Sequence, residues 1–274
     1  MHKLKLLLLI AMSSTAVFAA PVEESATVAL DNQAFQKFDD QFYLGWGATY
    51  GNLTNAYGEN ANYGMTTIGF GVERLFDMGL WMRFDGTMMI GYSNFNSSNP
   101  NAITAPLGQN PSIANLDMKI GYAFPVVKDT LLVTPYGLVG RNTNLSSNSL
   151  NNNMSTGSDG TTTPTINTTE DYFLTGGIGG RIEYIPADWV ELYFDQNALY
   201  SSDQSQPTST YSSMSNFSFT STLGAKFNVW QELQLGASAY YTRYALVNSA
   251  TYAQQYQLNP QNDIGFMATI GLTY

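Results

Sequence analysis

Apolar and polar side chains alternate with a period of two along much of the chain from residue 42 to residue 274. In residues 114–124, for example, Ala, Leu, Met, Ile, Tyr and Phe occupy the even positions, while Asn, Asp, Lys, Gly and Ala occupy the odd ones. Residues two apart lie on the same face of a β-strand, so the pattern predicts strands with one apolar face. We predict ten strands, at residues 42–51, 63–76, 80–92, 113–124, 131–141, 172–185, 189–200, 216–229, 233–244 and 264–274.

The connections between these strands alternate in length. Residues 77–79, 125–130, 186–188 and 230–232 are short turns, whereas the intervening connections are long and polar. Transmembrane barrels have short turns at the periplasmic end and longer external loops, and an even strand number puts both ends of the barrel on one side. We therefore predict an all-β fold, a closed antiparallel transmembrane β-barrel of about ten strands, with eight or twelve as alternatives. A soluble β-sandwich shows the same alternation and is the competing fold.

Two local features refine the strand prediction. Pro135 in the fifth strand has no N–H for the ladder, so we expect a bulge or a strand end there. Aromatic residues also concentrate near strand ends, which suits the two interfaces of a membrane. At the turn ends these are Phe42, Phe76, Phe124, Tyr184, Trp189, Trp230 and Tyr274, and at the loop ends Tyr50, Tyr63, Tyr92, Tyr172, Tyr200, Tyr241 and Tyr244.

The N-terminus has the pattern of a secretory signal peptide. A basic start, an apolar run and the small-residue pattern Val17-Phe-Ala19 predict that residues 1–19 are removed. We expect residues 20–41 to form a periplasmic N-terminal segment, either a short helix or disordered, and residues 42–274 to form the barrel. Without Lys3 and Lys5, nine basic residues face 21 acidic ones. This balance argues against nucleic-acid binding, which needs a basic patch.

The last strand alternates apolar residues up to a terminal aromatic. It resembles the C-terminal assembly signal of bacterial outer-membrane β-barrels, with Phe266, Ile270, Leu272 and Tyr274 as the matching residues. The architecture is similar to the OmpA-type membrane domain and other small porin-like surface proteins. The resemblance implies the outer membrane of a Gram-negative bacterium, with the barrel-assembly machinery, outer-membrane lipid and lipopolysaccharide as partners. We expect no peptidoglycan-binding domain after the barrel.

The inward parity of the predicted strands collects charges of both signs. A small barrel has a narrow interior that long side chains and ion pairs can fill. We therefore predict a lumen charge network, with a narrow conducting path or a proton-transfer site as the alternatives. Its predicted members are Glu73, Arg83, Asp85, Asp117, Lys119, Arg181, Glu183, Glu191, Asp195 and Lys226.

The residue types present argue against several kinds of chemistry. The chain has no cysteine, and its single histidine, His2, lies in the predicted signal peptide. Ser-His and Cys-His nucleophilic sites and typical zinc sites are therefore not expected. Omptin-like outer-membrane proteases also have about ten strands, but their chemistry uses a histidine. We expect no enzymatic activity, no metal and no cofactor.

The sequence is compatible with two functions. The first is a structural or surface-interaction role, with loops at residues 93–112, 142–170 and 245–262 contacting a host or environmental surface ligand. The alternative is a narrow porin-like channel for small solutes or ions.

Overall fold

The computed structural model describes residues 33–54, 60–95, 112–149, 154–156, 162–164, 167–203, 215–246 and 259–274. The predicted signal peptide lies outside these residues. The elements are one helix, α1 (Gln33–Asp39), and the strands β1 (Gln41–Thr54), β2 (Asn60–Leu75), β3 (Leu80–Phe95), β4 (Ser112–Tyr122), β5 (Phe124–Val127), β6 (Leu131–Ser149), β7 (Met154–Thr156), β8 (Thr162–Pro164), β9 (Asn167–Ala187), β10 (Val190–Asp203), β11 (Ser215–Asn228), β12 (Leu233–Leu246) and β13 (Asn259–Thr273). Within the described residues, no helix is long and apolar enough to cross a membrane.

Ten of the strands form a closed antiparallel barrel. Around the barrel the order is β1, β2, β3, β4, β6, β9, β10, β11, β12 and β13, and β13 pairs back with β1. The short β5 continues β4 and adds to β6, while β7 and β8 form a separate small hairpin. Closure leaves no free sheet edge around the barrel, as the alternation and the loop lengths predict. The ten-stranded barrel is confirmed, and the β-sandwich alternative is wrong.

The outer face of the barrel is apolar. Large hydrophobic side chains at alternate positions point outward, and Trp46, Ile178 and Leu223 are 71%, 72% and 64% exposed. The four residues of the predicted assembly signal lie on this face of β13 or directly after it, and all are exposed. A soluble protein rarely exposes so continuous an apolar surface. The distribution is typical of a barrel surrounded by lipid.

Pro135 does not end its strand. β6 continues through Pro135, which faces Gly180 of β9 in an unbroken register. The interruption falls on the neighbouring strand, because pairing between β4 and β6 stops at Gly121 and resumes at Phe124 in β5. Within this gap, Ala123 donates its N–H to the carbonyl of Gly79, in the turn before β3, at 2.8 Å. The expectation of a bulge or strand end at Pro135 is therefore wrong, since the missing donor is accommodated by a gap between β4 and β5.

The predicted loop at residues 142–170 is partly strand. β6 has 19 residues and β9 has 21, whereas a transmembrane strand needs about 9–11. Their pairing extends to Ser149 and Asn167, beyond the last partners that β4 and β10 provide. Because this extension is rich in Asn, Ser and Thr, it fits a ribbon that projects beyond the apolar band.

The two aromatic belts are present at the outward positions but not at every predicted residue. Tyr50, Tyr200 and Tyr241 are exposed at the loop end, as expected for an interface. Tyr63 is buried, however, and its hydroxyl donates to Asp263 inside the lumen. Tyr244 also bonds Asp263, at 2.7 Å, so both tyrosines are lumen residues. Among the remaining loop-end positions, the side chains of Tyr92 and Tyr172 lie outside the described set.

Inward tyrosines pair with glycines on the neighbouring strand. In each pair the tyrosine ring occupies the space where a Cβ of the glycine would lie, so a larger residue there would displace the ring. Covering a glycine with a cross-strand aromatic ring fills the wall of the barrel and holds the ring against it. The pairs are Tyr43–Gly71, Tyr63–Gly51, Tyr136–Gly179, Tyr193–Gly224 and Tyr240–Gly265.

Candidate functional site in the barrel lumen

Helix α1 occupies the turn end of the lumen. Phe35 and Phe38 are fully buried and belong to one hydrophobic cluster with inward-facing side chains of the barrel wall. Gln36 donates from Nε2 to the carbonyl of Leu75 at 3.1 Å and to Oδ1 of Asp77 at 2.8 Å. The wall residues of the cluster include Leu75, Trp81, Ala123, Leu132 and Ile185. The helix therefore closes the turn end of the lumen with an apolar layer. The hydrogen bonds of Gln36 attach the helix to the turn between β2 and β3.

Asp40 links the helix to the end of β2 and to the C-terminal residue Tyr274. Its carboxylate accepts the N–H of Leu75 at 2.9 Å, and its carbonyl accepts the N–H of Tyr274 at 3.2 Å. Burial raises the pKa of Asp40, while the bond from Leu75 and the charge of Arg74 oppose that shift. The segment that enters the lumen is thus fastened beside the seam between the first and last strands.

Arg181 lies at the centre of the charged cluster. Its Nη1 is 2.9 Å from Oε1 of Glu73, and its Nε is 2.5 Å from Oε1 of Glu183. Its Nη2 lies 3.3 Å from Glu191 and 3.7 Å from Asp39. All five side chains are fully buried. The guanidinium therefore joins α1 to three different strands, β2, β9 and β10.

Lys226 is the second cation of this cluster. Its Nζ lies 2.6 Å from Oδ1 of Asp39, and 3.2 Å from carboxylate oxygens of both Glu73 and Glu191. It also donates to the carbonyl of Phe38 at 3.1 Å. Glu191 lies directly opposite Lys226 on the neighbouring strand β10, whereas the contact with Glu73 of β2 crosses the lumen. We call Asp39, Glu73, Glu183, Glu191, Arg181 and Lys226 the central cluster.

The other predicted charges form pairs beside the central cluster. Arg83 contacts Asp85 at 2.8 Å and Glu73 at 3.6 Å, and the hydroxyl of Tyr43 bridges Arg83 and Asp85. On the other side, Lys119 lies 3.3 Å from Asp195. Tyr136 donates to that same carboxylate at 2.5 Å.

Asp117 is the exception in the predicted set. It points inward on β4 and lies opposite Asp85 of β3, but among the described residues it makes no ion pair within 4.0 Å. The structure thus brings nine of the ten predicted residues into ion pairs.

Several carboxylate oxygens in the central cluster lack hydrogen bonds. Oδ2 of Asp39, both oxygens of Glu183 and Oε2 of Glu191 are buried without a hydrogen-bond partner. The short Arg181–Glu183 contact is an ion pair in which no N–H is aligned with the oxygen. Carboxylate oxygens of Asp39, Glu73 and Glu183 lie within 4.8 Å of one another. Among the described residues, these three carboxylates are close enough together to share a cation, and the guanidinium of Arg181 already contacts all three.

Among the described residues, the half of the lumen nearer the long loops is filled mainly by uncharged side chains, with Asp263 as an exception. Thr49 bonds Thr67 at 3.0 Å, and its hydroxyl also contacts that of Tyr240. Tyr63 and Met65 form a buried cluster with Met89 packed against it. Asp263 accepts hydrogen bonds from Tyr63 and Tyr244. This half relies on hydroxyl, aromatic and thioether side chains.

The predicted charge network lacks several polar lumen residues, among them Asp39, Tyr43, Tyr136 and Asp263. Asp263 was within reach of the pattern, because extending the alternation of the last strand by one residue places it on the face of Gly265 and Met267. Tyr43 and Tyr136 likewise share the inward parity of their strands. Asp39 has no such signal, since it lies in a helix that only the folded barrel positions.

No protein-family model matches the chain. No curated protein matches it either. Among solved structures it is similar to the β domain of the Bordetella autotransporter BrkA, with a TM-score of 0.46, 10% identity and coverage of 86% of this chain and 100% of that chain. It is also similar to the transport unit of the autotransporter AIDA-I from Escherichia coli, with a TM-score of 0.42, 9% identity and coverage of 94% of each chain. A third likeness is to the outer-membrane protease OmpT from Escherichia coli, with a TM-score of 0.39, 11% identity and coverage of 85% of this chain and 96% of that chain. No activity follows from these likenesses.

Proposed function

We propose that this chain is a sealed outer-membrane barrel of a Gram-negative bacterium with a structural or surface-interaction role. One observation carries the proposal: α1 and the central cluster fill the turn-end half of the lumen with fully buried side chains. A barrel filled in this way has no wide aqueous path, so its long loops are the part that can contact other molecules. A host or environmental surface molecule is the proposed ligand.

Bilayer recordings of the purified full chain test the seal. We expect no steady single-channel conductance from the wild-type protein. Replacing both Phe35 and Phe38 by Ala removes the apolar layer of α1, so this double variant should show openings. Phe42→Ala is the matched control, because Phe42 is exposed on the outer face. A stable conductance from the wild-type barrel would replace this proposal with the narrow porin-like channel.

The role of the loops is tested by deleting Ser146–Thr165. The barrel should still fold, since the pairing of residues 131–144 with residues 171–184 stays outside the deletion. Binding of whole cells to host cells, matrix or phage should change, because the deletion removes the end of the polar β6 extension and the predicted loop residues that follow it. If every binding phenotype survives while a reproducible conductance is enlarged or lost, the loop serves a pore instead.

The membrane location includes three finer proposals: residues 1–19 are removed, outer-membrane lipid covers the apolar band, and lipopolysaccharide contacts its outer part. Ile120 is exposed on that band. Ile120→Arg should therefore lower the free energy of unfolding by about 2–4 kcal/mol in a denaturant titration in lipid vesicles, because a charged side chain near the middle of the bilayer destabilises a barrel by that amount. Ile120→Val keeps an apolar group there and should cost far less. Equal losses of unfolding free energy in the two variants would contradict the proposal that lipid covers the outer face at Ile120.

We further propose that the barrel-assembly machinery recognises the C-terminal end of β13. Tyr274 completes the outward row that contains Phe266, Ile270 and Leu272. Deleting Tyr274 should lower the amount of folded barrel in the outer membrane and leave unfolded protein in the periplasm. Heat-modifiable mobility on gels measures the folded fraction, and normal abundance of the variant would contradict the assignment.

We assign no catalytic role to the lumen acids. Asp85 and Asp195 each face a cation, Arg83 and Lys119, which fits structural pairing better than acid–base work. The purified barrel should hydrolyse neither peptide nor phospholipid substrates. Turnover that Asp85→Asn abolishes in a folded protein would overturn this assignment.

A further inference from the structure

Asp117 is a lumen carboxylate whose charge no neighbouring cation neutralises. It faces inward on β4, directly opposite Asp85 of β3, and like charges directly opposite one another destabilise a strand pair. Arg83 contacts Asp85 at 2.8 Å. Lys119 contacts Asp195 at 3.3 Å. Because each of these cations is paired with another acid, the described residues of this region carry an excess of one negative charge, at Asp117.

Gly140 allows other oxygens to approach the carboxylate of Asp117. On β6, Gly140 lies between Asp117 of β4 and Thr175 of β9. A Cβ built on Gly140 would overlap Oδ1 of Asp117. That atom would also lie 2.7 Å from Oγ1 of Thr175 and 2.9 Å from the carbonyl oxygen of Leu116. A glycine inside a strand often marks a close approach of this kind. Three oxygens therefore converge over one glycine.

Two polar side chains in this region lack hydrogen bonds. Thr175 is 5% exposed, and its Oγ1 has no hydrogen-bond partner. Oδ1 of Asn115, two residues from Asp117 on the same face of β4, is also buried without a partner. An unsatisfied buried oxygen is costly, so each such atom needs an explanation. A cation is the partner that would satisfy these oxygens and the carboxylate together.

We propose that one small monovalent cation, such as Na⁺, binds between Asp117, Thr175 and Leu116. Its ligands are a carboxylate, a hydroxyl and a backbone carbonyl oxygen, which are groups that hard cations take. The amide oxygen of Asn115 is a fourth oxygen on this face. A single positive charge cancels the excess at Asp117, whereas a divalent ion would leave an excess of the opposite sign. Asp117 is only partly buried, so an ion can reach it from the lumen.

The ion site is separate from the layer that seals the barrel. Glu73, Arg83 and Lys119 lie in one row across β2, β3 and β4. Asp117 lies two residues further from the turns on β4, on the loop side of that row. The bound ion therefore neutralises the lumen without a path through the central cluster. This inference goes beyond the proposed function, because neither the seal nor binding by the loops depends on the ion.

Sodium-23 NMR of the folded full chain in uncharged detergent micelles tests the binding directly. Bound Na⁺ relaxes faster than free Na⁺, so we expect an excess line width that saturates as Na⁺ replaces N-methyl-D-glucamine at constant chloride. Asp117→Asn should lower the affinity for Na⁺ at least about tenfold, because the site loses its charged ligand. Asp188→Asn is the matched control, since Asp188 is an exposed acid in a turn, and it should leave binding unchanged.

Thr175→Val tests the geometry of the site with little change in shape. Loss of the hydroxyl should weaken Na⁺ binding about threefold or more. Thr134→Val is the matched control, because Oγ1 of Thr134 is likewise buried without a hydrogen-bond partner. Thr134 lies opposite Arg181 on β9 and not beside Asp117, so its loss should leave the affinity for Na⁺ unchanged.

Thermal unfolding provides a second readout. The melting temperature of the wild-type barrel should be higher in NaCl than in N-methyl-D-glucamine chloride at the same ionic strength, since a ligand that binds the folded state stabilises it. Asp117→Asn should lose this difference. Without Na⁺, this variant should be at least as stable as the wild type, because a neutral amide no longer repels Asp85.

Two results would overturn the proposal. One is a wild-type protein with no saturable line width and the same melting temperature in the two salts, which would leave a proton to neutralise Asp117. The other is equal affinity for Na⁺ in the wild type and in Asp117→Asn, which would place the ion elsewhere. Neither result bears on the seal or on the loops, which the conductance and deletion experiments test separately.

Discussion

The two halves of the lumen are closed by different kinds of side chain. The half nearer the short turns contains the central cluster and α1, and its contacts are ion pairs across the barrel. The half nearer the long loops contains hydroxyl groups, tyrosine rings and methionines, with Asp263 held by two tyrosine hydroxyls. Both halves alternate with the same inward parity along the same strands.

The difference shows that the inward direction of a side chain and the way in which the lumen is filled are separate properties. An inward position excludes lipid, but it does not decide whether charge or neutral hydrogen bonding fills the space. In the turn half the charged groups depend on ion pairs, some within one strand and others between strands, because an unpaired buried charge is energetically costly. In the loop half the hydroxyl of Thr49 contacts the neutral hydroxyls of Thr67 and Tyr240, so losing it costs less free energy than losing a buried ion pair. The turn half should therefore be the more sensitive to single substitutions.

Arg181→Met should have the largest effect. It keeps much of the side-chain volume but leaves the four carboxylates with Lys226 as their remaining cation within the cluster. Breaking a buried ion pair typically costs about 3–5 kcal/mol, and we expect a loss of that size in a urea titration of the barrel in lipid vesicles. Arg243→Met is the control, because Arg243 is exposed on the outer parity of β12. Equal losses for the two variants would refute the special sensitivity of the turn half.

Asp263→Asn should have an intermediate effect in the loop half. The amide retains an acceptor for Tyr63 or Tyr244 but loses the charge that strengthens both bonds. We expect a loss of about 1–2 kcal/mol in the same titration. A loss as large as that of Arg181→Met would show that charge dominates both halves.

Thr49→Val should have the smallest effect. The substitution preserves shape and removes the hydroxyl that contacts Thr67 and Tyr240. A neutral hydrogen bond contributes about 0.5–1.5 kcal/mol, and the unfolding free energy should fall by that amount. Thr66→Val on the outer face serves as the control, since Thr66 is exposed on the opposite parity of β2. If Thr49→Val costs several times more, the neutral half is as tightly coupled as the charged one.

Much of the barrel was predictable from local pattern. The alternation placed the ten strands and the inward face of the ten predicted charges, because side-chain direction in a strand repeats every two residues whatever its partners are. Tyr63 shows where that reasoning stops. At a strand end, an outward tyrosine lies at the membrane interface and an inward tyrosine lies in the lumen. Tyr63 has the inward parity of β2, so it is a lumen residue and not an interface residue. The ribbon formed by β6 and β9 was also missed, since its polar composition resembles that of a loop.

The parity of each strand and the apolar outer face follow from the sequence, since these depend on neighbours along the chain, whereas the count of about ten strands became ten only with the closed barrel. Only the tertiary structure decided which charges meet. Arg181 and Lys226 reach Glu73 and Asp39 across distances that are large in sequence and short in space. It also decided that residues 33–39 form the helix that closes the turn end, because Phe35 and Phe38 become buried only against side chains that barrel closure brings together. Local pattern carries no information about such contacts, which depend on the stagger of the strands and the width of the lumen.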